Sequence, residues 1–144
     1  MRLILIRHGE TIENQKGICQ GQTDGTLNEK GIEQARKVAN YLRNQKIDYI
    51  YTSDLKRAFN TAKEITNLCH DSPLFIDNRL RERFFGSYQG KTFPENRKDL
   101  QIPTDAETDE QLFQRVGNFY NEILKKHMSD CIAIVSHGVT LRVF

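Results

Sequence analysis

The chain opens on four apolar residues in succession, Leu3-Ile4-Leu5-Ile6, and turns polar at Arg7-His8-Gly9. A short unbroken apolar run, β-branched at alternate positions, reads as a strand buried on both faces, as in a parallel sheet. Residues 10–26 follow as a polar stretch containing Gly17, Gly21 and Gly25. It is long for a loop in a compact domain, which marks it as a candidate functional segment. Periodicity returns with Ile32, Ala35, Ala39 and Leu42, one face of a helix that Asn28 would cap and that runs to about residue 45. Residues 48–52 predict a second strand, and Ser53 or Asp54 the cap of a helix reaching about Cys69. Leu74–Ile76 is a third, short strand between Pro73 and Asp77, and residues 80–103 show no clean period. Leu112, Val116, Phe119 and Ile123 place a helix over about 108–127 with that stripe in the core, and residues 131–135 form a fourth strand ending in Ser136-His137-Gly138.

Alternating strands and helices imply an α/β fold, a three-layer α/β/α arrangement with a mostly parallel central sheet and helices on both faces. No internal repeat, low-complexity tract or linker interrupts the 144 residues, so residues 1–144 read as a single domain. Open α/β sheets bind ligands outside the carboxyl ends of their strands. Strand one delivers Arg7 and His8 there, strand four delivers His137, and strand two ends beside Arg57, one turn into the next helix. These side chains therefore share one edge of the sheet.

Composition changes this picture little. Apolar residues make up 38% and charged residues 28%, with a net charge of +2 from 21 basic and 19 acidic residues. No basic block or aromatic-studded basic stripe points to nucleic acid. Cys19, Cys69 and Cys131 are odd in number and lack C-x-x-C spacing, which indicates neither a disulfide framework nor a zinc site. A reducing, cytoplasmic setting fits such cysteine usage. The apolar start is too short for a secretory signal or a membrane span, so no membrane association is expected.

Two arginines and two histidines at one sheet edge, with a carboxylate nearby, describe an anion site. Guanidinium forks match phosphate oxygens, and the helix N-termini after strands two and four would add backbone N–H groups. Phosphoryl transfer is the chemistry such a site supports, because positioning and charge neutralisation do most of its catalysis, and a histidine can attack phosphorus directly. Each residue has a plainer reading. Arg7 and His8 could be polar residues that close a strand, Asn14 a turn residue, and Glu82, between Arg81 and Arg83, a member of a surface ion pair. His70 and His127 lie near helix C-termini and read as structural. His8 and Glu10 form an H-x-E without the P-C-x-x-C that a zinc deaminase needs.

Leu5 to Thr11, with Asn14, Gly21, Asp24 and Leu27, resembles the opening of the histidine phosphatase, or phosphoglycerate mutase-like, superfamily. The resemblance continues through Gly31-Ile32-Glu33-Gln34-Ala35, Ser53 to Ala58 with Thr61-Ala62, Leu80-Arg81-Glu82 with Phe85-Gly86 and Gly90, and Val135-Ser136-His137-Gly138. It implies that His8 is the nucleophile and becomes a phosphohistidine. It implies that Arg7, Arg57 and His137 clamp the phosphoryl oxygens, with Asn14, Gln20, Gly21 and Gly138 contributing to phosphate or substrate binding. Glu82 would be general acid to the leaving oxygen and then general base for water. No metal or other cofactor is implied, since arginines supply the charge.

Mutases of this family carry a long insertion after the catalytic glutamate. About two dozen residues separate Glu82 from Glu107 here, and the family's Gly-Gly-Glu reads Asp105-Ala106-Glu107. The short connector favours a metal-independent phosphatase acting on a small phosphorylated metabolite, of sugar phosphate, phosphoglycerate, fructose-2,6-bisphosphate or α-ribazole phosphate type. A phosphoglycerate mutase, and a non-catalytic phosphate-binding or regulatory relative, are the alternatives; a homodimer is left open. The segments Gln20-Gly21-Gln22 and Leu80 to Arg83 resemble fructose-2,6-bisphosphatase-type members. Family members continue beyond the second histidine block with a helix and a further sheet element. The chain therefore reads as C-terminally truncated, with an apolar sheet face or edge expected to be uncovered.

Overall fold

In the computed structural model, which describes residues 1–144 apart from the side chain of Arg97, eight elements follow one another: β1 (Arg2–Arg7), α1 (Ile12–Gln15), α2 (Glu29–Leu42), β2 (Tyr49–Thr52), α3 (Lys56–Thr66), β3 (Leu74–Ile76), α4 (Asp109–Lys126) and β4 (Cys131–Ser136). The four strands form one parallel sheet in the order β1-β4-β2-β3. Arg7 pairs with Ser136 and Thr52 with Val135, so the carboxyl ends of β1, β4 and β2 lie side by side. His8 N–H continues the ladder to Ser136 O at 3.0 Å, and Ser53 N–H to Val135 O at 3.1 Å.

Side chains alternate across a strand, and β4 sends them into two cores. Ala133 and Val135 pack with Leu42, Ile50, Ala62 and Ile65 beneath α2 and α3. Ile132 and Ile134 pack with Leu80, Phe119 and Ile123 beneath α4. The three-layer architecture is thus observed, and the Leu112–Ile123 stripe is buried as its spacing predicts.

The strand buried on both faces is β4, not β1. β1 lies at the edge of the sheet, and Leu5 remains 42% exposed. An apolar run reports that a strand was built for burial, but not which neighbours it acquires.

Helix ends also differ from the periodic reading. The Asn28 side chain accepts from Gly31 N–H at 2.8 Å and caps α2 as predicted, but the helix stops at Leu42. α3 begins at Lys56, behind Leu55, and ends at Thr66. Neither Ser53 nor Asp54 caps it. Ser53 Oγ accepts from Leu55 N–H at 3.2 Å ahead of the helix, and Asp54 is engaged by Arg81. α1 lies inside the stretch read as a loop; Thr11 and Asn14 close it reciprocally, each side chain accepting from the other's backbone N–H. His127, at the end of α4, is held between Tyr51 Oη at 2.9 Å and Asp130 Oδ2 at 3.0 Å, a structural role. Among the described residues, no helix is long and apolar enough to cross a membrane.

Candidate active site

His8 leaves the end of β1 with little exposed surface. Its Nδ1 lies 2.7 Å from Gly9 O. A carbonyl only accepts, so Nδ1 carries the proton and Nε2 keeps its lone pair. The turn that fixes this ring is tight. A Cβ on Gly9 would run into the Gly31 backbone, and one on Gly31 into the Glu10 backbone, so only two glycines allow the loop to lie on the first turn of α2. Gly9 N–H donates to Thr61 Oγ1 at 3.1 Å, and the Thr61 hydroxyl donates to Arg57 O at 2.7 Å, which ties the turn to α3.

His137 sits fully buried behind His8, the two rings 5.1 Å apart. Neither of its ring nitrogens has a hydrogen-bond partner among the described residues. Arg57 is equally buried. It donates to Thr23 O and Gly21 O, both at 2.7 Å, while its Nε has no partner. The Arg7 guanidinium makes no hydrogen bond or ion pair among the described residues, although it borders the cleft. Buried polar groups are normally paired, so the buried Arg57 Nε and His137 nitrogens, with the exposed Arg7 beside them, mark a place built for a polar ligand.

The electrostatics follow from burial. His8 titrates at about 4 rather than 6.5, first because burial penalises its charged form, then because Arg57 and Arg7 repel a second cation; the Gly9 carbonyl opposes the shift. His137 is lowered well below its ordinary value by burial, then by Arg57. Both imidazoles are neutral beside two guanidinium cations. Burial also lowers Arg57, which nonetheless stays charged at neutral pH.

These residues border a cleft of about 400 Å³. Arg7, His8, Asn14, Gln20, Gly21, Arg57, Glu82 and Gly138 line it, with His137 behind His8. Asn14 Oδ1 accepts from Thr11 N–H, which leaves its amide donors toward the cleft wall. Gln20 is buried, with Oε1 unpartnered.

Glu82 is placed by backbone. Its Oε1 accepts from Arg83 N–H at 2.9 Å and Thr140 N–H at 3.1 Å, and its Oε2 from Val139 N–H at 3.2 Å, while the Thr140 hydroxyl donates to Arg81 O at 2.7 Å. The N–H groups after β4, expected to face a phosphate, are instead occupied by this carboxylate. A 3₁₀ turn, Thr140–Arg142, comes after β4. Among the described residues Glu82 makes no ion pair either: Arg81 pairs with Asp54 and Arg83 with Asp109.

The sequence pattern of the histidine phosphatase superfamily (branch 1) matches residues 3–144. The chain belongs to that superfamily. The phosphoglycerate mutase-like protein 4 of Arabidopsis thaliana is 37% identical over 97% of this chain and 67% of its own length. The metal-independent phosphoserine phosphatase of the same plant is 36% identical over 97% of this chain and 65% of its length. The chain thus spans about two thirds of these curated relatives. Among solved structures, the mycobacterial glucosyl-3-phosphoglycerate phosphatase in complex with VO3 superposes with a TM-score of 0.89 at 27% identity, covering 99% of this chain and 77% of the other. The α-ribazole phosphatase of Shigella flexneri gives 0.85 at 32% identity, covering 98% and 76%.

Several residues of this histidine phosphatase that shape the site escaped the sequence reading. Arg115 on α4 forms a two-pronged pair with Glu107, Nε to Oε1 and Nη2 to Oε2, both at 2.8 Å. Its remaining nitrogen, Nη1, donates to Arg79 O at 2.6 Å and Arg81 O at 2.9 Å. Glu107 Oε2 in turn accepts from Phe84 N–H at 3.2 Å. Together they bolt the segment carrying Glu82 to α4. Thr140, and the part Thr61 plays in holding Gly9 N–H, were missed for a like reason: their partners Arg81 O and Gly9 N–H are backbone groups distant in sequence, which leave no local motif.

Proposed function

We propose that this histidine phosphatase hydrolyses phosphate monoesters of small metabolites through a phosphohistidine formed on His8. The enzyme class, a phosphoric monoester hydrolase, is the one shared by the family and its relatives named as phosphatases. The observation that carries the proposal is the set of buried unpaired polar groups around a neutral His8, Arg57 Nε and both ring nitrogens of His137, with the exposed Arg7 guanidinium lining the same cleft. Guanidinium donors neutralise the equatorial oxygens of the transferring phosphoryl group, the charge stabilisation that a metal ion supplies in other phosphotransferases.

In the first step the His8 Nε2 lone pair attacks phosphorus and the bond to the leaving oxygen breaks. Glu82 acts as general acid to that oxygen through Oε2, which accepts one N–H where Oε1 accepts two. In the second step water attacks the phosphohistidine and yields its proton to the Glu82 carboxylate. The P–N bond breaks, releasing inorganic phosphate and a neutral His8. His137 and the arginines hold the phosphoryl oxygens throughout.

The test is hydrolysis of p-nitrophenyl phosphate in EDTA by the native chain and by His8→Ala, with acid-quenched samples examined for phosphohistidine. Turnover and phosphoenzyme should both vanish in the variant. Turnover retained without His8 removes it as nucleophile. Phosphate exchange between phosphoglycerates, with no net release of phosphate, would mark a mutase instead.

A further inference from the structure

The loop that carries Gln20 and Gly21 is zipped by backbone to the segment that follows Glu82. Cys19 N–H donates to Lys91 O at 2.9 Å, Gly90 N–H to Cys19 O at 2.7 Å and Phe93 N–H to Gly17 O at 2.8 Å. A side chain crosses the same seam. Gln89 Oε1 accepts from Gln22 N–H at 2.8 Å and from Phe85 N–H at 3.3 Å. Gln22 answers across the seam, its Nε2 donating to Glu82 O at 3.0 Å. Gln89 lies so close to the loop that a Cβ on Gly21 would run into its carboxamide, and the φ of +54° there favours glycine as well.

Gly21 O and Gln22 N–H belong to one peptide group, and its two ends have different partners. The carbonyl accepts from Arg57 Nη2 at 2.7 Å, and the N–H is held by Gln89. In a trans peptide these ends point opposite ways, so whatever fixes the N–H also aims the carbonyl. Glycine at position 21 would let the peptide turn over, because it has no Cβ to oppose either orientation. Turned over, the peptide would meet Arg57 with a donor in place of an acceptor. Both Nη groups of Arg57 are tied to this loop, through Gly21 O and Thr23 O, and those two bonds fix how the guanidinium presents its unpaired Nε. We infer that Gln89 is a positioning residue for Arg57: by locking the peptide between Gly21 and Gln22, it sets the edge of the guanidinium that meets a phosphoryl group. Gln89 itself does not line the cleft. Its carboxamide also holds Phe85 N–H, and Gln22 holds the Glu82 carbonyl, so the phosphate clamp and the segment of the acid keep one register. The inference rests on reading the cleft as a phosphate site.

The dissociation constant of orthovanadate, measured by calorimetry without chelator, tests this apart from turnover. Gln89→Met keeps the shape of the side chain and the backbone zipper but offers no comparable acceptor, and should weaken binding about ten-fold. Gln89→Glu keeps the acceptor oxygen and should stay within about three-fold of the native chain. A merely structural role would weaken binding whether or not Arg57 is present. In an Arg57→Ala background, Gln89→Met should therefore cost nothing further, the non-additivity expected of two residues that act through one peptide. Gln89→Ala repeats the comparison if the methionine variant melts early. Unchanged binding in a folded Gln89→Met would overturn the inference. So would a full loss that persists without Arg57, or a Gln89→Glu variant as weak as Gln89→Met. A native chain that binds vanadate but forms no phosphohistidine on His8 would remove the nucleophile reading and leave the Gln89 comparison intact. A native chain that binds no vanadate would remove both.

Discussion

Two imidazoles in this chain are held uncharged within a ring contact of each other, and burial is the larger cause in both. Two arginines lie near His8, and their repulsion is a smaller cause than burial. Depth of burial is a property of the finished fold, and no tripeptide discloses it. The shift has a cost that pH reveals. The folded state refuses a proton on His8 until about pH 4, whereas an unfolded chain accepts one near 6.5. The stability attached to that difference is fully present above pH 6.5 and is lost as pH falls toward 4, to the extent of about 3 kcal/mol. Melting temperatures of the native chain should therefore drop across that window, and His8→Ala should show a shallower drop. Equal slopes for the two would contradict the neutral state assigned to His8. Single-turnover phosphorylation should for the same reason persist down to about pH 5. Glu82→Gln keeps the size of the side chain and one acceptor oxygen but is no longer a carboxylic acid. Hydrolysis of alkyl phosphates should then fall a hundred-fold or more, while p-nitrophenyl phosphate, whose leaving group needs no proton, loses much less. Equal losses for both would assign Glu82 to holding the loop.

Among the elements, what was legible depended on whether the signal was periodic. α2 and α4 announce themselves by apolar positions three and four apart, and β4 by its unbroken run Ile132-Ala133-Ile134-Val135. α1 has one turn and no apolar stripe, so only its capping pair could have revealed it. The segment between β3 and α4 has no period because its order comes from tertiary bonds, chiefly those of Arg115 and Glu107. Side chains of both are mostly buried, at 19% and 11% exposure. Arg115→Met should strand the Glu107 carboxylate and destabilise the chain by roughly 3 kcal/mol in urea unfolding. The variant should also lose alkyl phosphate hydrolysis more than nitrophenyl phosphate hydrolysis, because the loop it frees carries Glu82. A stability loss with no change in that ratio would confine Arg115 to packing.

At the scale of the molecule, the site is where three strand ends meet. β1 supplies Arg7 and His8, β4 supplies His137, and Arg57 comes from the helix after β2. The α/β class, the parallel sheet and the common edge were all readable from the alternation of elements and from polar residues that close apolar runs. The order of strands was not, because nothing in the apolar run of β1 states that it ends as an edge. A ligand held by all three strand ends stabilises the whole fold. Vanadate, a stand-in for the transferring phosphoryl group, should raise the melting temperature by roughly 5–10 °C at a hundred times its dissociation constant. The shift should disappear in His8→Ala.

The strand order carries a consequence for how the chain comes to life. β1 and β2 are not neighbours; β4, made after both, slides between them and pairs with each. While a ribosome is still making the residues ahead of Cys131, His8 has no companion imidazole and Arg57 no shared edge with Arg7. The proposed site is therefore incomplete until β4 has been made. Insertion of that strand closes the sheet and brings the proposed site residues to one edge.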